Sequence, residues 1–161
     1  MCGIIGITSS KPVSSAIINS LRKLEYRGYD SAGIATLANG VINEIKSEGR
    51  VDNLEKNLAI KNMPGSVGIG HVRWATHGVP NTVNAHPHSS KNVSIVHNGI
   101  IENSTILKKY LIGKGHVFKS QTDTEVIVHL ITEYLKNNDL KDSIIKMLKQ
   151  LHGSFALGII F

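Results

Sequence analysis

The sequence predicts an α+β fold in which helices are layered against mostly antiparallel sheets. Two observations support this prediction. Strand patterns come in clusters separated by helical patterns, and Asn39-Gly40, the strongest short hairpin signal, lies between two strand patterns. The 161 residues are 41% hydrophobic and 19% charged. These values are typical of one globular domain, which we expect to extend over residues 1–161.

The N-terminal half contains the first cluster of strands. Cys2 to Thr8 is an apolar strand pattern, and apolar residues at helical spacing predict a helix from Pro12 to Glu25. A glycine-containing loop follows at 27–30. We then expect, in order, strands at Ser31–Leu37 and Val41–Lys46, a short helix at Val51–Ile60 and a glycine-rich strand at Val67–Trp74.

The C-terminal half begins with a loop at Gly78–Ser90, which its prolines and asparagines indicate. A strand at Val93–His97 is predicted to end in a turn at Asn98-Gly99. Three helices should follow, and their predicted N-terminal signals are Asn103 as a cap, Thr122 with Glu125 as a capping box, and Asp139 as a cap. Phe155–Phe161 should form a last strand. Because the sequence stops within this apolar pattern, we expect a C-terminally incomplete domain of a longer polypeptide.

The charge balance is basic, with a formal net charge of +6 and a pI of about 9.5. The lysines are scattered, several fall on polar helix faces, and only 5% of residues are aromatic. A solvated surface therefore explains the charge better than a nucleic-acid partner does. No apolar run approaches the ~20 residues that span a bilayer, and no secretory leader is apparent. We expect a cytoplasmic protein with neither a membrane nor a nucleic-acid partner.

Cys2 is the only cysteine and directly follows the initiator Met1. A methionine before so small a residue is normally removed, which would leave a thiol and a free α-amine on the same residue. The α-amine has a pKa of roughly 8, so it can take the thiol proton near neutral pH. Terminal-nucleophile enzymes work in this way. The alternative is a small buried strand residue.

Five further residues have both a functional and a structural interpretation. Asn98 and Gly99 could point an amide and a backbone N–H at one oxyanion, although an ordinary turn is favoured from the sequence alone. Arg73 could bind a substrate carboxylate or pair with a protein carboxylate. Asp123 could bind a substrate ammonium group or act as a helix cap, which is favoured. Trp74 is more often a core residue than a lid in such a pattern.

Histidines are concentrated in one stretch, at positions 71, 77, 86, 88 and 97. A zinc site is one interpretation of this spacing. Metal sites usually include carboxylates or thiolates as well, and none occurs between His71 and His97. We therefore expect neither a metal nor a cofactor.

Six segments occur in an order that resembles the class II glutamine amidotransferases, which are N-terminal-nucleophile hydrolases. They are Cys2–Gly6, Tyr26–Ala35, His71–Gly78, Asn84–His88, His97–Asn103 and Thr122–Val126. Within that family, the segments at Tyr26–Asp30, Arg73–Gly78 and Asn98–Asn103 are most similar to the glucosamine-6-phosphate synthase group. The resemblance implies a four-layer αββα sandwich with Cys2 opening a central strand.

The resemblance also implies a role for each matching residue. Cys2 would be the nucleophile, with its own α-amine as general base, and Asn98 and Gly99 would form the oxyanion hole. Arg73, helped by Thr76 and His77, would hold the α-carboxylate of L-glutamine, and Asp123 its α-ammonium. Trp74 would be a gate near the ammonia exit. Arg27 and Tyr29 would lie in a loop that closes on the site.

The implied reaction is hydrolysis of the glutamine side-chain amide through a Cys2 thioester. The ammonia would pass to a sugar-phosphate isomerase domain, absent from these 161 residues, that converts fructose 6-phosphate to glucosamine 6-phosphate. A homodimer is possible for the longer protein. The alternatives are an amidophosphoribosyltransferase-like glutaminase, a non-catalytic glutamine-binding module, a histidine-based metallohydrolase and a papain-like protease. The last normally carries its cysteine at an internal helix start.

Overall fold

A computed structural model describes residues 2–60, 63–75, 78–90 and 92–161. Its helices and strands form four layers, with two facing sheets between two helical layers. The helices are α1 (Ser14–Leu24), α2 (Val51–Ile60), α3 (Ser104–Gly113), α4 (Glu125–Tyr134) and α5 (Leu140–Gln150). The strands are β1 (Gly3–Thr8), β2 (Ser31–Ala38), β3 (Val41–Glu48), β4 (Val67–Arg73), β5 (His88–Ser89), β6 (Ser94–Ile101) and β7 (Gly153–Ile160).

The first sheet has the order β1-β4-β2-β3, and every pairing in it is antiparallel. The predicted hairpin between β2 and β3 is confirmed: Asn39 and Gly40 both have positive φ, at 51° and 74°. Two such residues give the turn whose twist matches that of the strands. Strand β4 lies centrally, with Gly3 opposite Val72 on one side and Gly33 opposite His71 on the other.

The second sheet has the order β5-β6-β7 and is also antiparallel. Because successive side chains of a strand point to opposite faces of its sheet, neighbouring residues pack into different hydrophobic cores. In β2, Ile34 packs with α1 and α2, whereas its neighbour Ala35 packs between the two sheets against Val96 and Ile160. A third cluster joins β6 and β7 to α3, α4 and α5. The predicted α+β sandwich is therefore confirmed, and it brings the end of β4 close to the middle of β6.

The prediction that Asn98-Gly99 ends a strand is wrong. Strand β6 continues to Ile101, and Asn98 and Gly99 lie opposite Ala156 and Phe155 of β7. Pairing with β7 outweighs the local preference of Asn-Gly for a turn. Because β7 lies far from Gly99 in the sequence, the residues around Gly99 do not indicate this pairing. The predicted loop at Gly78–Ser90 also contains one short strand, β5, and a short 3-10 turn at Glu25–Arg27 extends the first helix.

Of the three predicted helix caps, only Asp139 is confirmed, by a bond from the Asp142 amide to its carboxylate. Asn103 makes no cap bond and instead links α3 to residues 150 and 152. Thr122 and Glu125 form no capping box, because α4 begins at Glu125 and its carboxylate accepts from the Lys119 and Ser120 amides. In both cases the side chain bonds to a partner outside its own helix instead of to a capping partner in the first turn.

Within the described ranges, we find no helix that combines the length and the apolar character required to cross a bilayer.

Candidate active site

The Cys2 side chain lies between the two sheets, directly before β1, and is partly exposed. Its Sγ is 3.2 Å from the backbone nitrogen of Trp74 and 3.5 Å from the Trp74 carbonyl oxygen. The Trp74 N–H therefore points at the sulfur and would stabilise negative charge on it. Because Gly3 pairs with Val72, the β1–β4 register determines this contact.

Two side chains hold the Cys2 backbone. The Arg27 Nε and the Asn98 Nδ2 both donate to the Cys2 carbonyl oxygen, each at 3.1 Å. The family resemblance implied that Arg27 lies in a loop that closes on the site, whereas the structure places it at the end of the 3-10 turn Glu25–Arg27. In the structure Arg27 already contacts the predicted nucleophile.

Gly99 follows Asn98 on β6 and has a φ of 129°, in a region that favours glycine. A Cβ at this position would lie 2.0 Å from the Ser154 carbonyl oxygen, so β7 leaves no room for a side chain. Gly99 thus presents bare backbone beside Cys2, and the Asn98 amide lies next to it.

A small polar cavity lies on one side of Cys2. Its volume is about 30 Å³, and its lining residues are Cys2, Arg73, Trp74, His86, His97, Gly99, Thr122, Asp123 and Thr124. This volume admits about two water-sized groups. Burial lowers the pKa of Arg73, while the nearby carboxylates of Asp30 and Asp123 act against that decrease. The cavity therefore combines one buried cation with one carboxylate.

The Asp123 carboxylate is fixed from behind, since its Oδ2 accepts a hydrogen bond of 2.8 Å from the Ile101 amide. Asp123 precedes α4 and does not cap it, because Thr124 is the residue at the helix start. The favoured interpretation of Asp123 as a helix cap is therefore wrong. A carboxylate anchored to β6 instead faces the cavity that contains Arg73 and Cys2.

A larger apolar cavity lies on the other side of Cys2, with a volume of about 450 Å³. It is lined by Cys2, Arg27, Trp74, Asn98, Gly99, Ile100, Ser154, Phe155 and Ala156. Cys2, Trp74 and Gly99 line both cavities. The sulfur therefore lies at the boundary between a polar and an apolar environment.

Trp74 is 48% exposed, so the interpretation of it as a core residue is wrong. Its ring makes an edge contact with Tyr29, with centroids 5.6 Å apart, and Tyr29 is itself 49% exposed. The guanidinium of Arg50 lies over the Tyr29 ring. Trp74 and Tyr29 thus form an exposed aromatic pair at the mouth of the site.

The segment before β2 packs against the end of β4 and is hydrogen-bonded to it. Asp30 donates its backbone N–H to the Arg73 carbonyl at 3.2 Å, and its Oδ2 accepts from the Ala75 amide. A Cβ on Gly28 would lie 2.6 Å from the Arg73 carbonyl carbon and 2.8 Å from the Trp74 nitrogen. Gly28 therefore permits the close backbone approach that orients Arg73 and Trp74.

Four buried histidines, at positions 71, 86, 88 and 97, lie behind the polar cavity. The Thr124 hydroxyl joins His86 Nε2 and His97 Nδ1, each at 2.8 Å, and Thr122 contacts His88 Nε2 at 3.0 Å. Burial lowers the pKa of His71 and of His88 to about 3. The pKa values of His86 and His97 are lowered for the same reason. These rings are neutral at pH 7.

The alternative of a zinc site finds no support among the described histidines. In the part of the chain that the structure describes, no group of three or more His, Cys, Asp or Glu side chains could hold an ion. Two of the predicted substrate-binding residues, Thr76 and His77, lie outside the described residues. Thr122 and Thr124 line the polar cavity. Thr122 was predicted only to cap a helix and Thr124 had no predicted role, although both belong to the segment Thr122–Val126 that resembles the family. Their position directly beside Asp123 was the available signal.

Comparison with known proteins agrees with this geometry. The model of a glutamine amidotransferase domain matches residues 71–161. The chain therefore belongs to the glutamine amidotransferase domain family.

Its curated relatives carry a more specific name. Glutamine--fructose-6-phosphate aminotransferases [isomerizing] from Clostridium acetobutylicum and Pyrococcus horikoshii are 52% and 51% identical to it, over 99% and 100% of this chain. The chain spans only 26% and 27% of those relatives.

Solved structures give the same fold. The glutamine phosphoribosylpyrophosphate amidotransferase of B. subtilis superposes with a TM-score of 0.86 at 30% identity, covering 99% of this chain and 35% of that one. A glutamine aminotransferase class-II domain protein from Silicibacter pomeroyi superposes with a TM-score of 0.65 at 13% identity, over 99% of this chain and 72% of that one. The latter similarity concerns the fold alone.

Proposed function

We propose that this chain hydrolyses the side-chain amide of L-glutamine to glutamate and ammonia, with Cys2 as the nucleophile. The observation that carries the proposal is the position of the Cys2 sulfur, next to the Trp74 N–H and at the mouth of a cavity containing one buried Arg and one anchored Asp. A free amino acid carries one carboxylate and one ammonium on the same carbon. Arg73 and Asp123 match these two charges.

Arg73 would pair with the α-carboxylate, because a buried guanidinium binds a carboxylate bidentately. Asp123 Oδ1, the oxygen that does not accept from Ile101, would accept from the α-ammonium. Thr76 and His77 follow Arg73 along the chain and would assist it. Glutamine held in this way would extend its side-chain amide out of the polar cavity and toward Cys2.

The chemical step is an acyl transfer. The Cys2 sulfur attacks the amide carbon, the C=O electrons move to oxygen, and the Asn98 Nδ2 and the Gly99 N–H donate to that oxyanion. The C–N bond then breaks, and the departing nitrogen leaves as ammonia with the proton taken from the thiol. Water cleaves the resulting thioester to glutamate and restores the thiol. Each oxyanion donor contributes a factor of roughly a hundred or more in rate.

The general base would be the α-amine of Cys2, exposed when Met1 is removed. An α-amine within the peptide bond to Met1 has no basic lone pair, so a chain that retains Met1 should not turn over glutamine. Arg27 would keep the residue in place through its bond to the Cys2 carbonyl. Trp74 and Tyr29 would gate the route by which ammonia leaves.

The relatives' name supports a particular destination for the ammonia. We propose a sugar-phosphate isomerase domain in the longer polypeptide, with fructose 6-phosphate as its substrate, and a homodimer as the assembled form. The structural similarity to the phosphoribosylpyrophosphate amidotransferase supports a second candidate, in which the acceptor is that sugar pyrophosphate. The 51–52% identity to the first group, against 30% to the second, favours fructose 6-phosphate.

The test compares glutamate release by the Met-free parent with release by Cys2→Ser, at matched concentration. The parent should form glutamate and ammonia in a one-to-one ratio, and Cys2→Ser should be at least about a thousandfold slower. Thermal-shift titration with glutamine, run in parallel, should show binding by both proteins. Binding by both without release by the parent would favour a glutamine-binding module instead.

A further inference from the structure

His71 makes contacts that the proposed chemistry does not use directly. It lies on β4, fully buried, and its Nε2 is 3.1 Å from two oxygens, the His97 carbonyl oxygen and Asn98 Oδ1. The opposite end of the same Asn98 amide, Nδ2, donates to the Cys2 carbonyl oxygen at 3.1 Å. One side chain on β4 therefore contacts the amide that faces the nucleophile from β6.

These contacts determine where the His71 proton lies. Both partners of Nε2 are oxygens that accept, so Nε2 must carry the hydrogen. Burial lowers the pKa of His71 to about 3, so the ring is neutral and Nδ1 carries no proton. In agreement, the buried Nδ1 has no hydrogen-bond partner within the described ranges. A neutral ring in this tautomer is a fixed donor at physiological pH.

The same contacts determine the orientation of Asn98. The amide can rotate by 180° about its last side-chain bond, which exchanges its oxygen and nitrogen. In the exchanged orientation an oxygen would face the Cys2 carbonyl oxygen, and a nitrogen would face the Nε2–H of His71. Both contacts would then be repulsive. The donor on His71 thus selects the orientation in which the Asn98 nitrogen faces the reaction centre.

We propose that His71 is a positioning residue that holds the Asn98 amide with its nitrogen toward Cys2, and so keeps the oxyanion hole ready before glutamine arrives. The proposal rests on the proposed function. His71 is absent from the residues that line either cavity, so it acts through Asn98 and not by touching the substrate.

The test uses two substitutions of similar size and polarity. In His71→Gln, the side-chain nitrogen can reach the place of Nε2 and still donate to Asn98 Oδ1. In His71→Asn, the shorter side chain reaches only to the place of Nδ1 and cannot. Because loss of one oxyanion donor costs roughly a hundredfold or more, His71→Asn should lower kcat by about tenfold to a hundredfold. The KM for glutamine should stay within about twofold, since Arg73 and Asp123 are unchanged.

His71→Gln should restore most of kcat, and His71→Asn should have little further effect in an Asn98→Ala background. Alkylation of Cys2 by iodoacetamide is the control, because displacement of iodide by sulfur forms no oxyanion. Its rate should be the same in the parent and in both variants. Unchanged kcat in His71→Asn would overturn the proposal, as would equal losses in both variants together with slowed alkylation, which indicate general structural damage.

A second measurement separates this inference from the proposed function. Nitrogen-15 NMR of the imidazole rings should show the Nε2–H tautomer of His71 at pH 7, with an Nε2 resonance that shifts in Asn98→Ala. A protonated Nδ1, or no response to Asn98→Ala, would overturn the positioning role even if the parent released no glutamate. Absence of glutamate release alone, with the tautomer and the shift as expected, would instead contradict the proposed function.

Discussion

The two cavities that meet at Cys2 differ in size and in chemistry. The polar cavity, of about 30 Å³, contains a buried cation and a carboxylate and is backed by neutral histidines. The apolar cavity, of about 450 Å³, is walled by Ile100, Phe155 and Ala156. The first has the charges that recognise an amino acid, whereas the second offers room but few charges. We therefore propose that substrate is held on one side of the sulfur and that ammonia leaves on the other.

Acid should destabilise the fold through the buried histidines behind the polar cavity. The native pKa values of His71 and His88 are about 3, below the ordinary 6.5, so the unfolded chain binds protons that the native chain excludes. Stability should therefore fall as the pH drops below 6.5. At pH 5 the loss should be about 2 kcal/mol for each of these two rings, or about 4 kcal/mol together.

The measurement is urea unfolding at pH 7.5, 6.0 and 5.0. His88→Gln should reduce the slope of stability against pH by up to one proton, which is about 1.4 kcal/mol per pH unit. His152→Gln, at an exposed position, is the control variant. A flat profile in the parent would show that the native rings take up protons over the same pH range as the rings of the unfolded chain.

Loss of the carboxylate should weaken glutamine binding. Asp123→Asn keeps the shape and can still accept from Ile101, but it removes the negative charge. A hydrogen bond to a charged group contributes about 1.5–3 kcal/mol, so KM should rise roughly tenfold to a hundredfold with kcat nearly unchanged. Steady-state glutamate release measures both constants. The matched control is Glu102→Gln, an exposed residue with the same charge change. A fall in kcat at constant KM would contradict the binding role.

A side chain at position 28 should disturb both cavities through the Arg73–Trp74 peptide. Gly28→Ala places its Cβ 2.6 Å from the Arg73 carbonyl carbon, so one backbone segment must move. We expect a cost of about 1–2 kcal/mol, and a fall in kcat/KM of roughly tenfold. Gly6→Ala is the control, because nothing lies within 4 Å of its Cβ. Parent activity in Gly28→Ala would mean that the orientation of Arg73 tolerates this shift.

The smallest effect is expected on the apolar side. Ile100 is 47% exposed and lines only the larger of the two cavities at Cys2. Ile100→Ser should change glutamine kcat and KM by less than about twofold, since the substrate charges are held elsewhere. A KM increase as large as that of Asp123→Asn would show that the polar and apolar cavities do not differ in their contribution to glutamine binding. The same assay serves for both variants.

Local patterns predicted most of the fold. The Asn39-Gly40 turn between two strand patterns identified β2 and β3, and the helical spacing identified α1. The patterns were misleading where partners distant in sequence decide the structure. The strand through Asn98 and Gly99 depends on β7, and the carboxylate of Asp123 depends on the Ile101 amide.

The same distinction holds for the site. Cys2 was predicted from its position in the chain, and Arg73 and Asp123 were predicted from residue type and family resemblance. Nothing in the sequence connects His71 with Asn98, 27 residues away. That contact requires the packing of two sheets. Gly28 likewise lies in a predicted loop, and the sequence does not show that its backbone packs closely against that of Arg73.

The most direct test of the central claim is intact mass spectrometry after incubation with a glutamine-mimicking diazoketone. The thiol proton would be transferred to the diazo-bearing carbon, the Cys2 sulfur would bond to that carbon, and the C–N bond would break with loss of N₂. We expect the parent to have lost the mass of Met1 and to gain one adduct, and Cys2→Ala to gain none. A Met-free parent that gains no adduct, or an equal adduct on Cys2→Ala, would contradict the central claim.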